Sequence, residues 1–144
     1  MIEVNLVCVG TLKEKYLREA ADEYKKRLSR FCKLNIIELA ESEPKKEKAL
    51  INKTLRGFVI ALCVEGKKYT SEQFTEVVEK TSLKNSKITF VIGSSEGLDE
   101  EIKRAADLQL SFSDMTFPHQ LMRIIFLEQL YRVFTIMNNI KYHK

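Results

Sequence analysis

Residues 58–64, Phe-Val-Ile-Ala-Leu-Cys-Val, form the stretch of sequence that decides the fold. Every residue in it is apolar, and Gly57 precedes it. A strand with one face in water alternates apolar and polar residues, whereas a strand covered on both faces is apolar throughout. The stretch therefore predicts a central strand of a parallel sheet that carries helices on both faces.

The rest of the chain alternates strand and helix patterns around that strand. Apolar, β-branched runs predict further strands at residues 2–9, 35–39, 88–92 and 108–112. Apolar spacing, capping signals and charged stretches predict helices at residues 12–31, 45–55, 70–83, 99–106 and 118–138. Residues 40–44 are predicted as a loop and residues 65–67 as a turn. This order predicts one α/β domain over residues 1–144 with a mainly parallel sheet.

The last predicted helix carries more apolar residues than one buried stripe requires. These residues are Leu121, Met122, Ile124, Ile125, Phe126, Leu127, Leu130, Val133, Phe134, Ile136 and Met137. Such a helix is either deeply buried or in contact with another subunit. We expect a homodimer.

The basic charge of the chain is concentrated near its beginning. The net charge is +4. Residues 12–33 contain eight basic and four acidic residues, which accounts for the whole excess. A polyanionic partner would explain this segment, and a solvated helix face is the alternative, which charge alone slightly favours.

Several classes of protein are disfavoured by what the sequence lacks. Cys8, Cys32 and Cys63 form no CxxC pair, which is typical of buried thiols in a reducing compartment. The sequence contains no signal-peptide pattern and no apolar run long enough to span a bilayer, so we expect a cytoplasmic protein without membrane contact. No GK[ST] loop, GxGxxG or HExxH motif occurs, and the only histidines are His119 and His143. We therefore expect no metal.

Two segments that follow predicted strands are candidates for the active site. Ligands of open parallel sheets bind beyond the carboxyl ends of the strands. Residues 93–98, Gly-Ser-Ser-Glu-Gly-Leu, would allow a ligand to approach the backbone closely, although an ordinary glycine turn has the same pattern. Residues 113–118, Ser-Asp-Met-Thr-Phe-Pro, are unusually apolar and could line an adenine pocket or simply pack on the core.

The chain ends on three residues with distinct chemistry. Tyr142, His143 and Lys144 could stack on a base, move a proton and hold a phosphate. A frayed terminus is the alternative interpretation.

Motifs along the whole chain resemble those of the bacterial ribosomal RNA large-subunit methyltransferase H family. The matching residues are 7–10, 91–93, 96–98, 110–113, 115–119, Arg123, 128–132 and 142–144. The Ser-Phe-Ser and Thr-Phe-Pro-His runs and the chain end are the most specific of them. The resemblance implies a SPOUT-type α/β fold with a C-terminal trefoil knot, a homodimer, and S-adenosyl-L-methionine as methyl donor. The implied reaction is methylation of N3 of a pseudouridine in 23S ribosomal RNA.

The resemblance also implies roles for individual residues. The donor-binding residues would be Leu62, Gly93, Phe112, Ser113, Asp114, Met115, Thr116 and Phe117. The RNA-binding residues would be His119, Arg123, Arg132 and Lys144. For the chain end, we expect His143 to serve as the general base and Tyr142 to stack on the target base, while solvent or a phosphate is the alternative proton acceptor. The family usually has a second glycine where this chain has Ser94, so we expect a modest shift of that loop, because serine resists positive φ.

Two other functions fit the same sequence. A non-catalytic factor that binds the ribosome would explain the basic segment and the small size. A SPOUT methyltransferase could instead act on transfer RNA or on a free RNA hairpin. The chain has little room for a separate RNA-binding domain, which favours a substrate whose own structure supplies the missing contacts.

Overall fold

Strands and helices alternate along residues 1–143, which are the residues that the computed structural model describes. The strands are β1 (Glu3–Val9), β2 (Lys33–Leu39), β3 (Phe58–Lys68), β4 (Lys87–Ile92) and β5 (Leu108–Ser111). The helices are α1 (Lys15–Leu28), α2 (Pro44–Thr54), α3 (Ser71–Lys84), α4 (Glu100–Ala105) and α5 (His119–Met137). The predicted order of elements is confirmed, and the boundaries differ by a few residues.

All neighbouring strands of the sheet are parallel, in the order β2-β1-β4-β3-β5. The apolar stretch at residues 58–64 lies between β4 and β5, so its predicted central position is confirmed. Helices α1, α3 and α5 share one hydrophobic cluster with the sheet, and α2 and α4 contribute to the other. Each apolar strand is therefore covered on both faces, which is the physical reason for its uniform composition.

The predicted turn at residues 65–67 is wrong, because β3 continues through it to Lys68. Leu62 and Lys67 both pair with Leu110, so the residues between them bulge out of the ladder. Gly66 makes the return possible, because a Cβ at this position would lie 2.7 Å from the backbone nitrogen of Leu110. The bulge, residues 63–66, ends at the carboxyl edge of the sheet and faces the site described below.

Helix α5 is deeply buried within the single chain. It packs against both α1 and α3, and Phe126, Leu127, Leu130 and Val133 are fully inaccessible to solvent. Of the eleven apolar residues predicted on this helix, five are buried by the chain itself, five are half-buried and Leu121 is exposed. Among the described residues, no helix is long and apolar enough to cross a membrane.

Candidate functional site

A cavity of about 920 Å³ opens at the carboxyl ends of β3, β4 and β5. Its walls are the end of β3 with its bulge, the first loop (residues 93–98) and the second loop (residues 113–118), together with the start of α5. Side chains that follow parallel strands meet at this edge, which is where open α/β sheets bind ligands. The volume is that of a pocket for a ligand of nucleoside size.

The first loop is a tight turn whose two ends touch. The amide of Gly97 donates a hydrogen bond of 2.8 Å to the Ser94 carbonyl, and Gly97 has a φ of +84°. A Cβ on Gly93 would lie 2.4 Å from the Gly97 carbonyl carbon. Gly93 is therefore required by the turn itself, in addition to any approach of a ligand.

Ser94 fits this turn without backbone strain. The only non-glycine residue with positive φ among residues 1–143 is Asn139, so Ser94 avoids the conformation that serine resists. Its hydroxyl accepts a hydrogen bond of 3.3 Å from the amide of Glu96. The serine stabilises the loop locally, and the strain that its side chain could have introduced is absent.

The second loop is held by short-range hydrogen bonds and one ion pair. The Ser111 hydroxyl donates to the Ser113 carbonyl over 2.9 Å, and the Ser113 hydroxyl accepts from the Met115 amide over 3.0 Å. Asp114 pairs with Lys68 at 2.6 Å and does not line the cavity. The other predicted donor-binding residues line it: Leu62, Gly93, Phe112, Ser113, Met115, Thr116 and Phe117. Met115 is 72% exposed and forms part of the rim.

One wall of the cavity is polar, and sequence reasoning missed it. Lys103 of α4 lies between the carboxylates of Glu65, on the bulge, and Glu100, whose oxygen is 2.8 Å away. These hydrogen bonds raise the pKa of Lys103 and lower that of Glu65. The available signal was Glu65 beside Gly66, but that pair was interpreted as a turn. Cys63 also lines the cavity, and burial raises the pKa of its thiol.

His119 and Arg123, one turn apart at the start of α5, have different surroundings. His119 lines the cavity, and its Nε2 is buried with no hydrogen-bond partner within residues 1–143. Arg123 is only 1% exposed and donates to Glu38 over 2.5 Å and to the Gly10 carbonyl over 3.1 Å. Its guanidinium joins α5 to β2 and to the end of β1, so it is not available as a surface contact for an RNA backbone.

The chain end lies against α5 and α3, away from the residues that line the cavity. The Tyr142 hydroxyl donates to Glu128 over 2.9 Å, and burial raises the pKa of this phenol to about 12. Nδ1 of His143 lies 3.1 Å from Nη1 of Arg132, and Nε2 lies 2.9 Å from Glu72. Since arginine can only donate, Nδ1 accepts and Nε2 donates, and both ring nitrogens are engaged.

The predicted site residues thus fall into separate places. The two loops and His119 share one cavity, whereas Arg132, Tyr142 and His143 form a second cluster on the same chain. Arg132 is paired with Glu128 at 2.7 Å. The predicted RNA contact at Lys144 lies outside the described residues. Within residues 1–143, no group of three or more His, Cys, Asp or Glu side chains could hold a metal ion.

The basic segment at residues 12–33 is partly neutralised by its own acids. On α1, Glu19 pairs with Lys15, Asp22 with Lys25 and Glu23 with Arg27. Lys13, Arg18, Lys26 and Arg30 have no ion-pair partner in the described part of the chain, and all four are exposed. These four side chains are the part of the segment that is available to a polyanion.

A parallel α/β sheet with a nucleoside-sized cavity between two loops at its carboxyl edge defines a ligand-binding α/β protein. The family model described as "Predicted SPOUT methyltransferase" matches residues 2–143. A protein of Streptococcus equi subsp. zooepidemicus named ribosomal RNA large subunit methyltransferase H is 47% identical, covering 99% of this chain and all of the relative. One of the same name from Clostridium botulinum is 46% identical with the same coverage. The chain belongs to the SPOUT methyltransferases, in the group of ribosomal RNA large subunit methyltransferase H.

Solved structures of low sequence identity share the fold. A probable methylase family protein from Haemophilus influenzae Rd KW20 superimposes with a TM-score of 0.57 and 15% identity. That match covers all of this chain and 72% of the other. TrmJ from Z. mobilis superimposes with a TM-score of 0.54 and 9% identity, covering 92% of this chain and 70% of the other. These likenesses concern the fold alone. The trefoil knot stays a prediction.

Proposed function

We propose that this protein transfers a methyl group from S-adenosyl-L-methionine to N3 of a pseudouridine in 23S ribosomal RNA of the assembled ribosome. The observation that carries the proposal is the cavity between the two loops, in a chain whose relatives are named ribosomal RNA large subunit methyltransferase H. Such an enzyme works where ribosomes are, in the cytoplasm.

The residues of the cavity fit the proposed donor. Leu62 and Phe117 offer apolar surface to an adenine ring, and the loop backbone offers hydrogen-bonding groups to its edge. The turn at Gly93 keeps that part of the wall free of a side chain. When bound, the donor supplies a methyl group already activated on a sulfonium. The chain's own task is to hold donor and acceptor in line, which accounts for a large part of the rate enhancement in such reactions.

The acceptor side of the site requires more than one chain. The proton on N3 of the pseudouridine must leave, and we assign His143 as the base and Tyr142 as the platform for the target base. In the arrangement described above, both nitrogens of His143 are engaged by Arg132 and Glu72. We therefore propose a homodimer in which the chain end leaves these partners and completes the cavity of the other subunit.

RNA binding would combine contacts from exposed cations with complementarity of shape between the protein and the ribosome. Lys26 and Arg30 on the basic segment, together with Lys144, would contact phosphates. His119 would contribute at the edge of the cavity, and Arg132 would become available when the chain end moves. Because these contacts are few, we expect the assembled ribosome to supply the remaining complementarity.

The decisive experiment measures transfer of labelled methyl groups to ribosomes that lack the modification, followed by mapping of the labelled nucleotide. We expect a single pseudouridine of 23S ribosomal RNA to carry the label. A factor without catalytic activity would bind ribosomes, yet calorimetry would show no heat on mixing with S-adenosyl-L-methionine. Efficient methylation of a naked hairpin would point to the third candidate, an enzyme that acts on other RNA.

The proposed base is tested by His143→Ala. The variant should lose most methyl transfer while its affinity for the donor stays near that of the wild type. Lys141→Ala, an exposed neighbour on the same chain end, is the matched control. Small and equal losses of transfer and affinity in His143→Ala would contradict the assignment.

A further inference from the structure

We infer that Glu65, Glu100 and Lys103 form an anionic wall that makes the cavity prefer the cationic methyl donor over the neutral thioether product. The inference rests on the proposed function, because it takes S-adenosyl-L-methionine as the ligand. It adds a determinant of specificity, and of product release, that lies outside the two loops.

The wall is built by two elements that meet at the cavity. The bulge of β3 carries Glu65, and Gly66 allows the strand to return against β5 after it. Helix α4 carries Glu100 and Lys103 one turn apart. Lys103 is only 9% exposed, and its ammonium is hydrogen-bonded to both carboxylates. Two carboxylates share one ammonium, so the wall keeps one net negative charge.

The charge of the cavity is opposite in sign to that of the whole protein. The charged residues that line it are Glu65, Glu96, Glu100 and Lys103, which leaves an excess of two negative charges. The chain as a whole carries +4. The local charge of the cavity therefore favours a cationic ligand, in contrast to the charge of the protein as a whole.

The two ligands of the proposed reaction differ by one charge. The donor carries a sulfonium, an α-ammonium and a carboxylate, and so has one net positive charge. When the methyl group is transferred, the sulfur keeps the electron pair of the broken bond and loses its positive charge. The product, S-adenosyl-L-homocysteine, keeps the ammonium and the carboxylate and is therefore neutral. The remaining atoms are the same, so loop contacts bind both ligands alike and the wall acts on the difference. It strengthens binding of the donor and adds almost nothing to binding of the neutral product, so the product is held less tightly than the donor.

The test compares three ligands by titration calorimetry on the full chain: the donor, S-adenosyl-L-homocysteine, and sinefungin, an analogue with an ammonium near the sulfonium position. One unit charge at the edge of a partly solvated cavity changes affinity about threefold. Glu65→Gln and Glu100→Gln should each lower the ratio of donor affinity to product affinity by about this factor. They should lower the ratio of sinefungin affinity to product affinity by the same factor. Lys103→Gln should raise both ratios, because it removes the positive charge of the wall.

Glu101→Gln is the matched control, since Glu101 lies on the same helix but pairs with Lys48 and does not line the cavity. Its ratios should equal those of the wild type, and added salt should reduce the preference for cations in the wild type. Equal ratios in all variants, or shifts of the same sign for Glu100→Gln and Lys103→Gln, would overturn the inference. If Glu65→Gln fails to fold, the pair Glu100→Gln and Lys103→Gln decides. A wild-type protein that binds none of the three ligands would instead overturn the proposed function.

Discussion

Replacing Gly93 by alanine tests the construction of the cavity most directly. The added Cβ would lie 2.4 Å from the carbonyl carbon of Gly97 and 2.7 Å from the amide nitrogen of Leu98. Carbon atoms in contact are separated by about 3.5 Å or more, so the segment at Gly97 must retreat by about 1 Å. Both groups that must move are backbone, and a change of side-chain rotamer cannot relieve the contact.

The displacement should affect ligand binding more than stability. A Cβ placed on Gly97 would meet no atom within 4 Å, which shows that the outer side of the loop is open and can accommodate movement. We therefore expect a loss of about 1 kcal/mol in the free energy of unfolding, at the low end for an overpacked site. Donor affinity should fall at least tenfold, about 1.4 kcal/mol, because the wall of the cavity moves with the loop.

The assay pairs titration calorimetry with S-adenosyl-L-methionine and urea unfolding. Gly97→Ala serves as the control, since its φ of +84° makes alanine strained without a steric clash. We expect Gly97→Ala to lose about 1–2 kcal/mol of unfolding free energy and less donor affinity than Gly93→Ala. A Gly93→Ala protein that binds the donor within twofold of the wild type would refute the reasoning.

Three further predictions concern other parts of the molecule. Cys63 lines the cavity, so saturating donor should slow its reaction with a thiol reagent severalfold; an unchanged rate would place the donor elsewhere. Arg123→Gln should lower the free energy of unfolding by about 2–3 kcal/mol, less than for a fully buried pair because Glu38 is partly exposed, whereas Arg27→Gln on the surface should cost under about 1 kcal/mol. Burial raises the thiol pKa of Cys8 from 9.0 to about 11 and that of Cys32 from 9.0 to about 12. The unfolded chain therefore loses these two protons at a lower pH than the folded chain does. The free energy of unfolding should therefore fall as the pH rises above about 9, less steeply in Cys32→Ala, and an identical slope in both proteins would contradict the assignment.

The sheet could be predicted from the sequence because its signal is local. An uninterrupted apolar run such as residues 58–64, which is short and follows a glycine, favours a strand covered on both faces over a buried helix. The bulge after Leu62 could not be predicted, because Glu65 and Gly66 have the composition of a turn and only pairing with β5 keeps the strand extended. The sequence predicts Gly93 as a donor-binding residue, and Gly93 lines the cavity. Its close approach to Gly97 depends on the course of the whole turn, which the local pattern does not specify.

The positions of the long polar side chains are set by partners that are close in space but distant in the sequence. The family resemblance implies an RNA contact for Arg123, but its acceptors, Glu38 and Gly10, lie 85 and 113 positions away in the chain. The place of His143 is likewise set by Glu72 on another helix. Local patterns carry no information about such pairs, so charged residues were the least predictable part of the site.

The place of β4 in the sheet has a consequence for synthesis of the chain. β4 lies between β1 and β3 although it follows both in sequence, so each of those strands keeps an unpaired edge until residue 92 has been made. A nascent chain that pauses before this point exposes one edge of β1 and both edges of β3, which are templates for pairing with other chains. Insertion of β4 covers the edge of β1 and one edge of β3 and brings the following turn, which begins at Gly93, to the carboxyl edge of the sheet, while the other edge of β3 is covered when β5 follows. The segment that joins β1 to β3 therefore also places the first wall of the cavity.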